Sequence, residues 1–159
     1  MVTHARTHAW ARPAAFLRAG AVLVAVLILD QVTKSTIAAQ IGAGEERKFI
    51  PGVHFVHVRN SGVAFGFFSG GGVLVLVFTL LALAVLIGYF VLRSDRHLLW
   101  LPVGLLVGGA LGNLIDRLAH GAVTDFIKLP DWPAFNVADM AITFGVLALL
   151  LVLERGRER

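Results

Sequence analysis

The acidic residues that interrupt the apolar stretches of this chain recur with amide and basic partners at helical spacing. Asp30 stands four residues before Lys34, Asn113 four before Arg117, and Asn136 three before Asp139. Residues four apart share a helix face, so Asp30 and Lys34 are placed to form a local ion pair. Asp125 and Asp139 flank a connection of 13 residues, 126–138, which is long enough to bring them together. Two carboxylates in one site share a proton, because like charges push one pKa up. The ionised partner can then activate water while the protonated one polarises a peptide carbonyl. By residue type alone, Asp125 with Asp139 is only modestly preferred over Asp30 with Asp139.

Other chemistries lack their residues. The chain has no cysteine, which removes disulfides, thiolate metal sites and a cysteine nucleophile. It contains no His-Glu-x-x-His and no Gly-x-Ser-x-Gly. His54 and His57 lie three apart in an alternating segment, so they point to opposite faces of a strand and make a poor metal pair. They read as exposed strand histidines. No phosphate-binding glycine motif is present, and neither a metal nor a cofactor is expected.

The elements that must position these residues are set by lipid. The 159 residues are 57% hydrophobic and only 15% charged, with a mean hydropathy of +0.80, beyond the usual composition of soluble domains. Apolar blocks cover about 17–37, 72–92, 98–117 and 137–153, and each approaches or reaches the ~20 residues that a membrane-spanning helix needs. The apolar run Ala19 to Leu29 of the first block follows Arg6, Arg12 and Arg18 and resembles a secretory signal, but no convincing cleavage site follows it, so the block reads as a retained anchor behind a tail, 1–16. The sequence pI of about 10.3 reflects short basic clusters beside these blocks rather than a nucleic-acid surface. Eight basic residues fall in the tails and the middle turn (Arg6, Arg12, Arg18, Arg93, Arg96, Arg155, Arg157 and Arg159), against five in the other connections (Arg47, Lys48, Arg59, Arg117 and Lys128). By the positive-inside rule both termini face the cytoplasm.

The two outer connections have extended character. Segment 48–59 alternates apolar and polar residues, with Gly52 and Asn60-Ser61-Gly62 as turns, and 122–127 is also expected to be extended. Trp132 and Phe135 in the following loop suit the headgroup zone.

Counting roughly 1.5 Å per helical residue from the inner boundary places Asp30, Asp139, Asn113 and Asp116 at roughly 20, 21, 22 and 27 Å. Three helices thus deliver polar groups to one layer below the outer surface. Buried intramembrane charges normally face a bundle interior or a wet cavity. Gly104, Gly108, Gly112 and Asp116 form one stripe at four-residue steps, which permits close helix packing and turns Asp116 inward. Any one of these charges alone fits helix–helix glue as well as a functional site. The whole layer favours a site.

Five ordered segments carry a family likeness: Asp30-Gln-x-x-Lys34, Asn60-Ser-Gly-x-Ala-Phe65, Gly108-Gly-Ala-Leu-Gly-Asn-Leu-Ile-Asp-Arg117, Val123-x-Asp-Phe126 and Asn136-Val-Ala-Asp139. Together with four spans they resemble the lipoprotein signal peptidases (signal peptidase II), over about two-thirds of the chain. The resemblance implies an all-α membrane protein, a four-helix bundle with a small extracytoplasmic β-cradle. It implies a bacterial inner-membrane aspartic endopeptidase, with its site near the outer face, that cuts prolipoproteins just before a diacylglyceryl-modified cysteine. Its partners would be those signal peptides and membrane lipids, with no nucleic acid. Asp125 and Asp139 match the family's catalytic aspartates. Asp30, Lys34, Asn60, Asn113, Arg117 and Asn136 match its other recurrent polar positions. The competing reading is a small proton- or ion-coupled carrier using Asp30, Lys34 and Asp139. A purely structural subunit would leave the extended segments and their aspartates unexplained.

Overall fold

The computed structural model describes residues 11–61 and 72–155. Residues 62–65 of the second motif, together with Arg6, Arg157 and Arg159, lie outside them, as does the side chain of Arg12. The elements run α1 (Ala11–Gln40), β1 (Glu46–Ile50), β2 (Val53–Asn60), α2 (Gly72–Leu92), α3 (Trp100–His120), β3 (Val123–Lys128) and α4 (Val137–Arg155). All four helices are long and apolar enough to cross a membrane. The strands lie at one end of the bundle; the α2–α3 turn, the start of α1 and the end of α4 lie at the other.

Helix α2 coincides with the apolar block at 72–92, whereas α1 is longer than 17–37 at both ends and α4 continues past 153 to Arg155. Helix α3 is displaced from 98–117. Leu98 adopts a left-handed φ of 63° and the helix begins only at Trp100. It ends at Gly121, whose φ of 71° allows its N–H to bond the Arg117 carbonyl, a glycine-terminated cap.

Glycines let α3 occupy the centre. A Cβ on Gly104 would stand 2.7 Å from the Ala19 carbonyl oxygen of α1, and one on Gly109 would stand 2.5 Å from the Ala138 carbonyl oxygen of α4. Both distances are closer than real Cβ atoms come, so α1 and α4 pack on α3 at backbone range. Toward the far end the bundle is held by buried Ala15, Ala19, Leu83, Phe90, Leu99, Val103 and Val107, with the rings of Phe16 and Phe90 4.8 Å apart.

The sheet has the order β1-β2-β3, antiparallel throughout. The β1–β2 hairpin turns at Pro51-Gly52, where Gly52 has a φ of 80°, as the alternation in 48–59 predicts. A register shift between Phe55 and Val58 breaks that alternation. His54 contacts Glu46, and His57 Nδ1 lies 2.8 Å from the Ile41 carbonyl oxygen. Both rings are half-buried rather than exposed as the alternation suggests, because each has a polar neighbour to fold against. Beyond β3 the loop returns along it. The Phe135 N–H donates to the Ile127 carbonyl at 3.0 Å, and the Phe135 carbonyl accepts from the Ile127 N–H at 2.8 Å. This pairing brings Asn136 back beside Asp125.

Candidate active site

Asp125 lies on β3 and Asp139 in the first turn of α4, and Asn136 touches both. The Asn136 Nδ2 donates to Asp125 Oδ1 at 2.7 Å. Its backbone N–H donates to Asp139 Oδ2 at 3.2 Å, and its Oδ1 accepts the Asp139 N–H at 2.9 Å. The last two bonds form a reciprocal capping box that starts α4 and fixes the Asp139 carboxylate. Asn136 has 0% exposure and Asp125 2%.

Each carboxylate has a second amide partner. Asn60, at the end of β2, donates from Nδ2 to Asp125 Oδ2 at 2.9 Å. Asn113 of α3 donates from Nδ2 to Asp139 Oδ1 at 2.8 Å. The Asn113 Oδ1 in turn accepts from Lys34 Nζ at 3.0 Å and from Asn136 Nδ2 at 3.2 Å. The four amide-bearing contacts orient both carboxylates without neutralising either.

Burial and its neighbours set the Asp125 proton. Desolvation pushes its pKa from the ordinary 3.8 up to about 6, with the Asp139 charge adding to the rise, while the bonds from Asn60 and Asn136 and the charge on Lys34 oppose it. A carboxyl of this kind holds its proton in conditions where an ordinary Asp is ionised.

Below the carboxylates sits a buried ion cluster. Lys34 Nζ lies 2.7 Å from Asp30 Oδ2 and 3.1 Å from Asp116 Oδ2, so the helical-spacing pair is present but shared with a second acid. Asp30 Oδ1 accepts the Ala138 N–H at 2.9 Å. A carboxylate of α1 thereby satisfies one of the free donors at the start of α4. One Asp30 oxygen thus faces the start of α4 and the other Lys34. Asp116 Oδ2 accepts the Thr124 N–H at 3.1 Å, which anchors β3 one residue before Asp125. Gln31 Nε2 bridges Asp30 Oδ2 at 3.2 Å and Asp116 Oδ1 at 3.1 Å.

The structure therefore brings Asp30, Lys34, Asn60, Asn113, Asn136, Asp125 and Asp139 into one network. Arg117 stands at its edge, half-buried, donating to the carbonyl of Asn113 at 3.3 Å. Asp116, expected in the polar layer, belongs to the network too, and so does Gln31; neither is among the supporting positions matched through the family likeness. Asp116 was legible from the glycine stripe and the depth count; Gln31 was legible only as the second residue of Asp30-Gln-x-x-Lys34. Among the described residues no group of three or more His, Cys, Asp or Glu side chains has a metal-binding arrangement. On the sheet, a hollow of about 310 Å³ is lined by Glu45, Glu46, Val56, Val58, Lys128 and Ala134, among others. Val58 pairs directly with Asp125.

Comparison with known proteins finds relatives along most of the chain. The family model described as "Signal peptidase (SPase) II" matches residues 22–154. A lipoprotein signal peptidase of Moorella thermoacetica is 45% identical over 140 residues, covering 84% of this chain and 93% of the relative. One from Staphylococcus carnosus is 39% identical, covering 83% and 87%. Among solved structures, a bacterial membrane enzyme determined by the in meso method at 2.3 Å superposes with a TM-score of 0.79 at 35% identity, covering 86% of this chain and 87% of that one. A second, at 1.9 Å, gives a TM-score of 0.76 at 36% identity, covering 85% and 91%. Motif order, bundle and sheet, polar network and similarity along most of the chain agree: this protein belongs to the signal peptidase II family.

Proposed function

We propose that the protein is an aspartic endopeptidase that removes signal peptides from bacterial prolipoproteins, cutting before a cysteine that carries diacylglycerol. The observation that carries this reading is the convergence of Asp125 and Asp139 on Asn136. In the proposed reaction Asp139 is ionised and Asp125 protonated. Asp139 takes a proton from water as the water oxygen attacks the scissile carbonyl carbon, while Asp125 gives its proton to the carbonyl oxygen. The resulting gem-diol collapses: a hydroxyl returns its proton to Asp125, Asp139 protonates the leaving nitrogen, and the C–N bond breaks. Asn60, Asn113 and Asn136 orient the two carboxylates, Asp30 and Lys34 tie α1 to α4 and α3 beneath them, and Arg117 orients substrate at the rim. The carrier reading is not favoured: α2 carries no charge, and the charged network sits toward the sheet end.

In this reading the chain is a multi-pass protein of the bacterial inner membrane, with both termini cytoplasmic and the sheet outside. The basic residues of the tails and of the α2–α3 turn support that orientation. Cysteine labelling at Asp95, exposed in that turn, and at Glu45, exposed before β1, is expected to report opposite sides. Labelling of both from one side would reverse or break the topology.

Substrate lipid is expected to be required. A signal peptide is a membrane segment, so its scissile bond must be held at the depth of Asp139, roughly 10 Å below the surface by helical rise. Two acyl chains on the next residue anchor it there, each buried methylene contributing about 0.8 kcal/mol. Cleavage of a diacylglyceryl precursor and of the same unmodified sequence, compared in one bilayer, should differ by about 100-fold or more, equivalent to about 2.7 kcal/mol. Equal rates would indicate a peptidase that reads peptide sequence alone.

A further inference from the structure

Helix α2 is the least engaged element of the bundle. Of its described side chains only Leu83 and Phe90 are buried, and Val85 is 73% exposed. The backbones of α2 and α4 do not approach within 8 Å among the described residues. Between them lies a slot of about 610 Å³, lined only by apolar or aromatic side chains, including Leu81, Ala82, Val85, Tyr89, Leu149 and Leu153. At its far end a second hollow of about 510 Å³ shares Tyr89 and Leu153 with the slot and adds Arg96 and Glu154. The slot thus runs from hydrocarbon-like walls to a polar mouth.

Its bearing relates it to the carboxylates. Leu149 and Leu153 follow Asp139 on α4 by ten and fourteen residues. At 3.6 residues per turn they fall about 80° and about 40° to one side of the Asp139 direction, roughly 15 and 21 Å further along the helix. The slot therefore lies within a quarter-turn of the Asp139 direction on α4, further along the same helix. A signal peptide has an apolar stretch of about 7–15 residues behind a basic start, which as a helix is about 10–22 Å long. With its scissile bond at the dyad, that stretch must run from Asp139 toward the far end of the bundle. Helices pack at 8–10 Å, so one row of its side chains would fill a slot of this kind.

We propose that the α2–α4 slot is the docking groove for the apolar helix of the signal peptide. This rests on the peptidase function proposed above and adds the part of the substrate remote from the cleaved bond. The polar mouth marks where the bound segment leaves hydrocarbon: Glu154 can meet its basic start, with Arg96 on the same rim. An acyl chain of a lipid or a second copy of the chain are the other occupants such walls admit, but neither accounts for the place of the slot along α4 from Asp139.

The test uses the full protein in a bilayer and two diacylglyceryl substrates: a precursor with its whole signal segment, and a lipopeptide that keeps a few residues on each side of the scissile bond but lacks the apolar stretch. Val85→Trp, at an exposed position where the added ring meets no packed neighbour, should occupy the slot. It is expected to lower the ratio of kcat/KM for the precursor to kcat/KM for the truncated lipopeptide about tenfold, mostly through KM. An unchanged ratio would overturn the docking groove while leaving the peptidase function in place. Failure of the unaltered protein to cleave either substrate would overturn both. A photoreactive residue at Leu81 provides a readout independent of turnover. Its attachment to the apolar segment of the precursor is expected, and attachment only to lipid, or only to a second copy, would overturn the proposal.

Discussion

Asp125→Asn and Asp139→Asn are each expected to lower turnover of a lipid-modified precursor by about 10⁴-fold or more, with the double variant no worse than either single. Asn preserves size and polarity but can supply neither the base nor the shared proton. The replacement is not wholly silent in structure. Both Asp125 oxygens accept amide hydrogens, from Asn60 and Asn136, so an amide there turns one N–H against a donor. Asp139 faces the same loss, since its oxygens accept from Asn113 and from the Asn136 backbone. One unmade bond of this kind costs about 1–3 kcal/mol, which weakens the fold but leaves membrane insertion intact. Purified variants should therefore still melt cooperatively while single-turnover cleavage disappears. Near-normal turnover in either variant would move the chemistry to another carboxylate.

Asp30→Ala is expected to destabilise the protein by about 3 kcal/mol and to reduce turnover along with it. Removing one partner of a buried ion pair typically costs about 3–5 kcal/mol, because a charge is left uncompensated. Here Lys34 keeps Asp116 Oδ2 at 3.1 Å and the Asn113 amide oxygen at 3.0 Å, so the lower end of that range applies. The remaining loss comes from the Ala138 N–H, deprived of its acceptor at the start of α4, and from the space left under Gly112, where a Cβ would stand 2.5 Å from Asp30 Oδ2. Asp30→Asn can keep the bond to Ala138 and should fall between the parent and Ala. Thermal melting in detergent, read beside turnover, separates the effects. If Asp30→Ala melts like the parent and only turnover drops, Asp30 does not hold α4 in place.

Much of this arrangement was readable from local signals. Uncharged runs locate the helices because lipid leaves the backbone few alternatives, and Gly52 marks the hairpin turn. The common depth of Asp30, Asn113, Asp116 and Asp139 follows from helical rise, and their convergence is the outcome of that spacing. Contacts that depend on the chain returning from a distance were not readable. The pairing of β2 with β3, and of Phe135 with Ile127, brings Asn60 and Asn136 to opposite oxygens of Asp125, and no local pattern encodes either. Asn136-x-x-Asp139 is visible as a helix cap, but not its second bond to the other carboxylate. Gly109 lies off the four-residue stripe, so its approach to Ala138 had no periodic signal. The bulge between Phe55 and Val58 interrupts simple alternation at His57, whereas His54 lies outside it and folds against Glu46.

The proposed division of labour, a proton on Asp125 and a charge on Asp139, fixes which group acts as acid and which as base. It also has a thermodynamic sign. With its pKa raised from 3.8 to about 6, Asp125 stays protonated in the fold where the unfolded chain is ionised. Its contribution to stability is fully present below 3.8 and is lost as pH rises through about 6. Infrared difference spectra of the protein in lipid, titrated with pH, read this proton directly. A carboxylic-acid carbonyl band that fades as pH rises through about 6, is absent in Asp125→Asn and persists in Asp139→Asn is the expected result. A band that survives in Asp125→Asn and vanishes in Asp139→Asn would place the proton on the other carboxylate and contradict the assignment.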